Sequence, residues 1–112
     1  MTDLRAALAP DDANIRKLWR ARVLPELRVP CSLHLSSKMV GQKRWACAWC
    51  DKHGRFHVAL HPGLPYEFAV DLLIHELAHL DGMMAGALQH DDHGPIWGAS
   101  YSHWYQIIMR TA

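Results

Sequence analysis

The stretch from Tyr66 to Asp81, YEFAVDLLIHELAHLD, limits the fold more than any other part of the chain. Its apolar positions are too dense for a surface element, so it predicts a mostly buried helix, with Pro62, Gly63 and Pro65 breaking the chain before it and Gly82 as its stop. Val70, Leu72, Leu73, Ile74 and Leu77 bracket three polar residues that such a helix must satisfy, His75, Glu76 and His79. Their order is H-E-x-x-H. Residues four apart on a helix share a face, one turn above each other, so two imidazoles at this spacing can reach one metal ion. Glu76, one step round the helix, can then approach the ion's outer shell without ligating it and take a proton from water there. With nine His and three Glu in 112 residues, chance alone supplies this pattern roughly 0.02 times.

A catalytic zinc ion (Zn2+) needs a third protein ligand and one position left for water. No Glu follows Glu76, and Ala85 stands where a longer H-E-x-x-H-x-x-G-x-x-H pattern would place its last His. Asp81 lies about 200° round the helix from His79 and is expected to be a solvated or capping carboxylate. The remaining candidates are His90, His93 and His103, with Asp91 and Asp92 behind them. His93 is preferred because Gly94 and Pro95 follow it, and proline at a first helical position fixes the backbone just after the ligand.

The rest of the chain reads as a small α+β domain. Asp11 or Asp12 is expected to cap a first helix carrying Ile15, Leu18, Trp19 and Val23 inward until Pro25 stops it. Alternation predicts one strand over residues 29–36, and a second over 43–50 with Trp45, Cys47 and Trp49 on one face. A third carries Phe56, Val58 and Leu60 after the turn at residues 51–54. Pro95 opens a last helix running towards Arg110, with Trp97, Tyr101, Trp104 and Ile108 on one stripe. The expected fold is therefore a small antiparallel three-stranded sheet packed against three helices, with the H-E-x-x-H helix in the core, in one domain over residues 1–112. Cys47 is expected in the core and Cys50 at a strand end. Their C-x-x-C lacks the second pair that a structural zinc needs, although Cys31 or His53 could extend it.

Composition narrows the class. No window approaches the length of apolar chain a membrane span requires, the first residues do not read as a secretory signal, and three Cys do not make a disulfide framework. A soluble, cytoplasmic protein is expected, with no membrane partner. The net charge of +1 hides an asymmetry: residues 1–55 hold eleven of the twelve Lys and Arg, while residues 56–112 hold six of the eleven acids. The basic half fits either contact with nucleic acid or a solvated helix face at Arg16, Lys17 and Arg20.

His75-Glu76-Leu77-Ala78-His79, followed by His93-Gly94-Pro95-Ile96-Trp97, resembles the SprT-like zinc metalloprotease domain, whose pattern is H-E-x-x-H, a loop, then H-G-P and an aromatic. Residues 41–49 and 54–62 look like that family's hairpin, so the resemblance covers roughly residues 28–105. It implies a zincin-like fold, zinc held by His75, His79 and His93, Glu76 as catalytic base, and hydrolysis of protein or peptide substrates. In some members these are proteins trapped on DNA. Arg44-Trp45-Ala46-Cys47 is also similar to the R-W-G-x-C of YgjP-like metal-dependent hydrolases, whose third His follows the motif more closely. The expected activity is peptide-bond hydrolysis by a Glu-activated, zinc-bound water, with His103, Tyr101 or Tyr105 as donors to the oxyanion. The rival is a zinc-stabilised binding module without turnover, closed by a fourth ligand such as His90.

Overall fold

The computed structural model describes residues 4–84 and 94–110. Helix α1 spans Leu4–Leu18 and runs without a break into a π-helical turn, Trp19–Val23, and a 3-10 turn, Leu24–Glu26. The widened turn ends in a bond from the Leu24 N–H to the Trp19 carbonyl and buries both Trp19 and Val23. Pro25, lacking an N–H, follows at once and ends the regular helix as expected. The start differs from the reading of the sequence. Asp11 and Asp12 lie inside α1, and the Asp12 carboxylate accepts the Gly63 N–H at 3.0 and 3.2 Å instead of capping its own helix.

Strand β1 is Cys31–Leu35, β2 is Ala46–Cys50 and β3 is Phe56–Leu60. The expected hairpin is there: β2 and β3 pair antiparallel, and the Asp51 carboxylate accepts the N–H groups of His53 and Arg55 to close the turn. The sheet, however, is mixed rather than antiparallel. Its order is β1-β3-β2, and β1 runs parallel to the central β3. The reason is the route between β1 and β2. A one-turn helix α2, Ser37–Val40, and the residues after it carry the chain past the position β3 will take, so the hairpin returns β3 into the gap alongside β1. Helix α2 also makes the α-helices among the described residues four rather than three. At one turn it is too short for a hydrophobic period to announce it; Ser36 caps it by accepting the Met39 N–H, and Gly41, at φ 89°, ends it.

Register decides which face meets the core. Leu33 lies opposite Val58 and Ala48 lies opposite Val58 from the other side, so Leu33, Leu35, Val58, Leu60, Ala46 and Ala48 face the helices. Cys47, Trp49, His34 and His57 project to the opposite face. Cys47 is therefore not a core residue: it is half-buried there, its thiol directed at the Met39 carbonyl. Cys50 does end β2, as expected.

Helix α3, Tyr66–Met84, crosses the core face and buries Val70, Leu73, Ile74, Leu77 and Leu80. It continues two residues past Gly82, which is buried inside it rather than ending it. Helix α4, Pro95–Met109, starts with Gly94 as N-cap and Pro95 in the first turn and packs on α3 through Ser100, Trp104, Ile107 and Ile108. None of the described helices is long and apolar enough to cross a membrane.

Candidate metal centre

Because α3 is buried on three sides, the stripe bearing His75 and His79 is what remains open, and both rings are half-buried. Their Nε2 atoms face each other at 3.0 Å, with ring centroids 4.7 Å apart and planes at 70°. Two nitrogens on one tetrahedral zinc at ordinary bond lengths stand about 3.3 Å apart, so the pair is set close to the geometry an ion imposes. Glu76, only 7% exposed, offers a carboxylate oxygen, and all three donor atoms lie within 4.8 Å of one another. Two neutral imidazoles beside a carboxylate suit a borderline ion such as zinc, and the residues present fit it.

Strand β2 packs against α3, the helix of Glu76. The Cys47 thiol is pushed up from its ordinary pKa first by burial and then by the Glu76 carboxylate, which keeps it a neutral thiol. Strand β2 is also an edge of the sheet, unpaired on its outer side among the described residues. One wall of the histidine pair is Trp97 of α4. Its ring lies 5.2 Å from that of His75 and 6.0 Å from that of His79, and its indole N–H donates to the His75 carbonyl at 3.4 Å.

The other candidates sort as follows. His103 sits on the exposed side of α4 and does not join the metal-binding group among the described residues. His90, Asp91, Asp92 and His93 lie outside the described residues. Asp81 is neither solvated nor a cap: it accepts the Trp104 indole N–H at 2.8 Å and the Ser100 hydroxyl, tying α3 to α4. Tyr101 spends its hydroxyl on Asp71 at 2.8 Å, one turn before His75, and that bond holds its pKa above the ordinary value. Tyr105 is exposed. Cys31 faces the core, where burial pushes its thiol up to about 12, and it forms no ligand group with Cys47 and Cys50.

No protein-family model, curated protein or solved structure matches the chain. The chemistry of the site must therefore be argued from its own residues.

Sequence reasoning takes Trp97 as part of a packing stripe and as the aromatic after H-G-P, but not as a wall of the histidine pair. Its place two residues after Pro95 was the available signal, since the first turn of a helix entering beside the motif is where a wall would stand. The partners of Asp81 and Asp71 left no such signal, because they lie 19 to 30 residues away on another helix.

Proposed function

We propose that the protein is a zinc-dependent metalloprotease of zincin-like architecture, with His75, His79 and His93 holding the ion and Glu76 as the catalytic base. The observation that carries this reading is the pair of facing Nε2 atoms at 3.0 Å beside a buried carboxylate on the same helix. The sequence around His93, with its Gly94-Pro95 lead into α4, supports the third ligand, and the contact of Trp97 with both histidine rings brings the start of α4 to the site.

Zinc, when bound, supplies Lewis acidity that makes water a nucleophile at neutral pH and polarises the scissile carbonyl. The chain does the rest. His75 and His79, both from rigid helix, hold their donor atoms in place, and the buried Glu76 carboxylate accepts the proton of the attacking water and returns it to the leaving amine. Trp97 shields one side of the pair from bulk water. The edge of β2, unpaired among the described residues, is where an extended peptide can be received. Proteins bound to DNA belong to the same proposal as one class of substrate. The three free thiols fit a reducing, cytoplasmic setting.

Glu76→Gln tests the mechanism. It keeps the shape and removes the base, so zinc content is expected to stay within error of the parent while peptide cleavage falls by about 100-fold or more. Cleavage at the parent's rate would reject Glu76 as the base. Four protein donors and no exchangeable water in the zinc-loaded protein, by X-ray absorption, would reject an enzyme in favour of a zinc-stabilised binding module.

A further inference from the structure

Outside the metal centre, a concavity lies where α2, residues 41–45 and the end of β3 meet. It has a volume of about 660 Å³, within the roughly 300–1,000 Å³ of sites that take small ligands or short peptide segments. Lys38, Lys43 and Arg44 line it together with Gln42, Trp45 and His61, and no carboxylate does among the described residues. Among the described residues the only salt bridge joins His57 to Asp51, so none of these three cations is paired with an acid. Like charges gathered around one hollow without a counter-charge raise the positive potential inside it.

Aromatic contacts lead from the hollow to α3, the helix that carries the histidine pair. Trp45, 54% exposed, meets the His61 ring edge-on at 5.5 Å and the Phe68 ring at 6.2 Å. Phe68 is itself 40% exposed and stands on α3 seven residues before His75. Seven residues are close to two full turns, so Phe68, His75 and His79 lie on one stripe, and Phe68 is about 10 Å along the axis from His75. At about 3.3 Å per residue, an extended peptide crosses that distance in about three residues.

We propose that this cavity is a specificity subsite for acidic side chains of the peptide substrate, placed about three residues from the bond to be cut. The inference rests on the metalloprotease reading and adds the substrate class. Lys38, Lys43 and Arg44 receive the carboxylates, and Trp45 with Phe68 forms the apolar floor over which the peptide passes from the cavity to the metal centre. A nucleic acid is the other polyanion to weigh. The cations here converge on one hollow rather than tracking along a strand, and Trp45 of its lining meets Phe68 on the histidine stripe, which favours a side chain of the substrate.

Binding and cleavage are measured separately. Zinc-loaded Glu76→Gln protein is titrated, by fluorescence anisotropy, into a short labelled peptide carrying a block of glutamates and into the same peptide with glutamines in the block. The glutamate peptide is expected to bind about tenfold more tightly, with the advantage shrinking as salt is raised. Adding Lys43→Glu and Arg44→Glu is expected to abolish the advantage with an unchanged circular dichroism spectrum and zinc content. If that pair unfolds the protein, the milder Lys43→Gln with Arg44→Gln serves and is expected to reduce it. Equal binding of the two peptides overturns the proposal, as does an advantage that survives removal of the cations. So does a single-stranded oligonucleotide that displaces the peptide and binds more tightly than it does. In the parent enzyme, cleavage is expected about three residues from the block, on one side of it. A glutamate preference in binding without cleavage of either peptide supports the acidic site and rejects the protease reading, so the two failures are distinguishable.

Discussion

Asp81 shows how much one carboxylate does in a small core. It stands two residues after His79 and gathers the Trp104 indole N–H and the Ser100 hydroxyl, so it joins the motif helix to α4. Asp81→Ala leaves two partly buried donors without their acceptor. It is expected to cost about 1–3 kcal/mol in urea denaturation of the metal-free protein, with both motif histidines still in place. At the metal itself the residue-level question is which histidine completes the set. His93→Ala is expected to lower zinc affinity far more than His90→Ala in competition with a chelator; the reverse ranking would show that His90 is the ligand.

At the level of elements, the outer face of the sheet carries a chain of hydrogen bonds unrelated to the metal. Asp51, in the β2–β3 turn, bonds His57 Nε2 at 2.8 Å, and His57 Nδ1 meets His34 Nε2 of β1 at 2.9 Å, with Trp49 stacked over both rings. The network thus ties all three strands together. Burial, the His57 charge and Arg16 of α1 all hold the His34 pKa below its ordinary 6.5. The folded protein therefore resists a proton that the unfolded chain accepts, so stability is full above pH 6.5 and falls as the pH drops below it. Asp51 is held down to about 2, first by its bond from His57 and then by the Arg55 N–H. Its contribution is present above its ordinary 3.8 and disappears as the pH falls from there towards 2. Melting temperature against pH is expected to decline in these two windows. His34→Gln should remove the first decline and leave the second; two unchanged declines would mean that another group titrates.

For the molecule as a whole, a bound zinc ion would link folding to binding. Only the folded chain holds His75 and His79 of α3 in facing positions, so on the proposed reading zinc favours that state. With free zinc a thousandfold above its dissociation constant, the folded state gains about 4 kcal/mol, equivalent to roughly 10–20 °C in melting temperature for a domain of this size. Stripping the ion with a chelator is expected to lower the melting temperature by that amount, and restoring zinc should recover it. A melting curve indifferent to zinc would exclude the His75–His79 pair as a site.

Much of this molecule is determined locally. The apolar density of residues 66–81, the four-residue spacing of His75 and His79, the turn closed by Asp51 and the start of α4 at Pro95 all depend on neighbours within one turn or one hairpin, and their periods are visible in the letters alone. Gly82 shows where even a local signal yields. Its helix-stopping tendency is worth about 1 kcal/mol, and burial of α3 in the core overrides it. The remaining features required the tertiary structure. Antiparallel and parallel neighbours satisfy the same strand pattern, so only the route through α2 could set β3 between β1 and β2. Alternation shows that Cys47 and Trp49 share a face but not which face, because a strand has two and the core chooses between them only when α3 packs. The partners of Asp81, the wall made by Trp97 and the convergence of Lys38, Lys43 and Arg44 on one cavity likewise join or position segments that sequence distance does not relate. A sequence specifies local periods residue by residue, whereas a contact between distant segments exists only once the whole chain has chosen one way to bury its apolar surface.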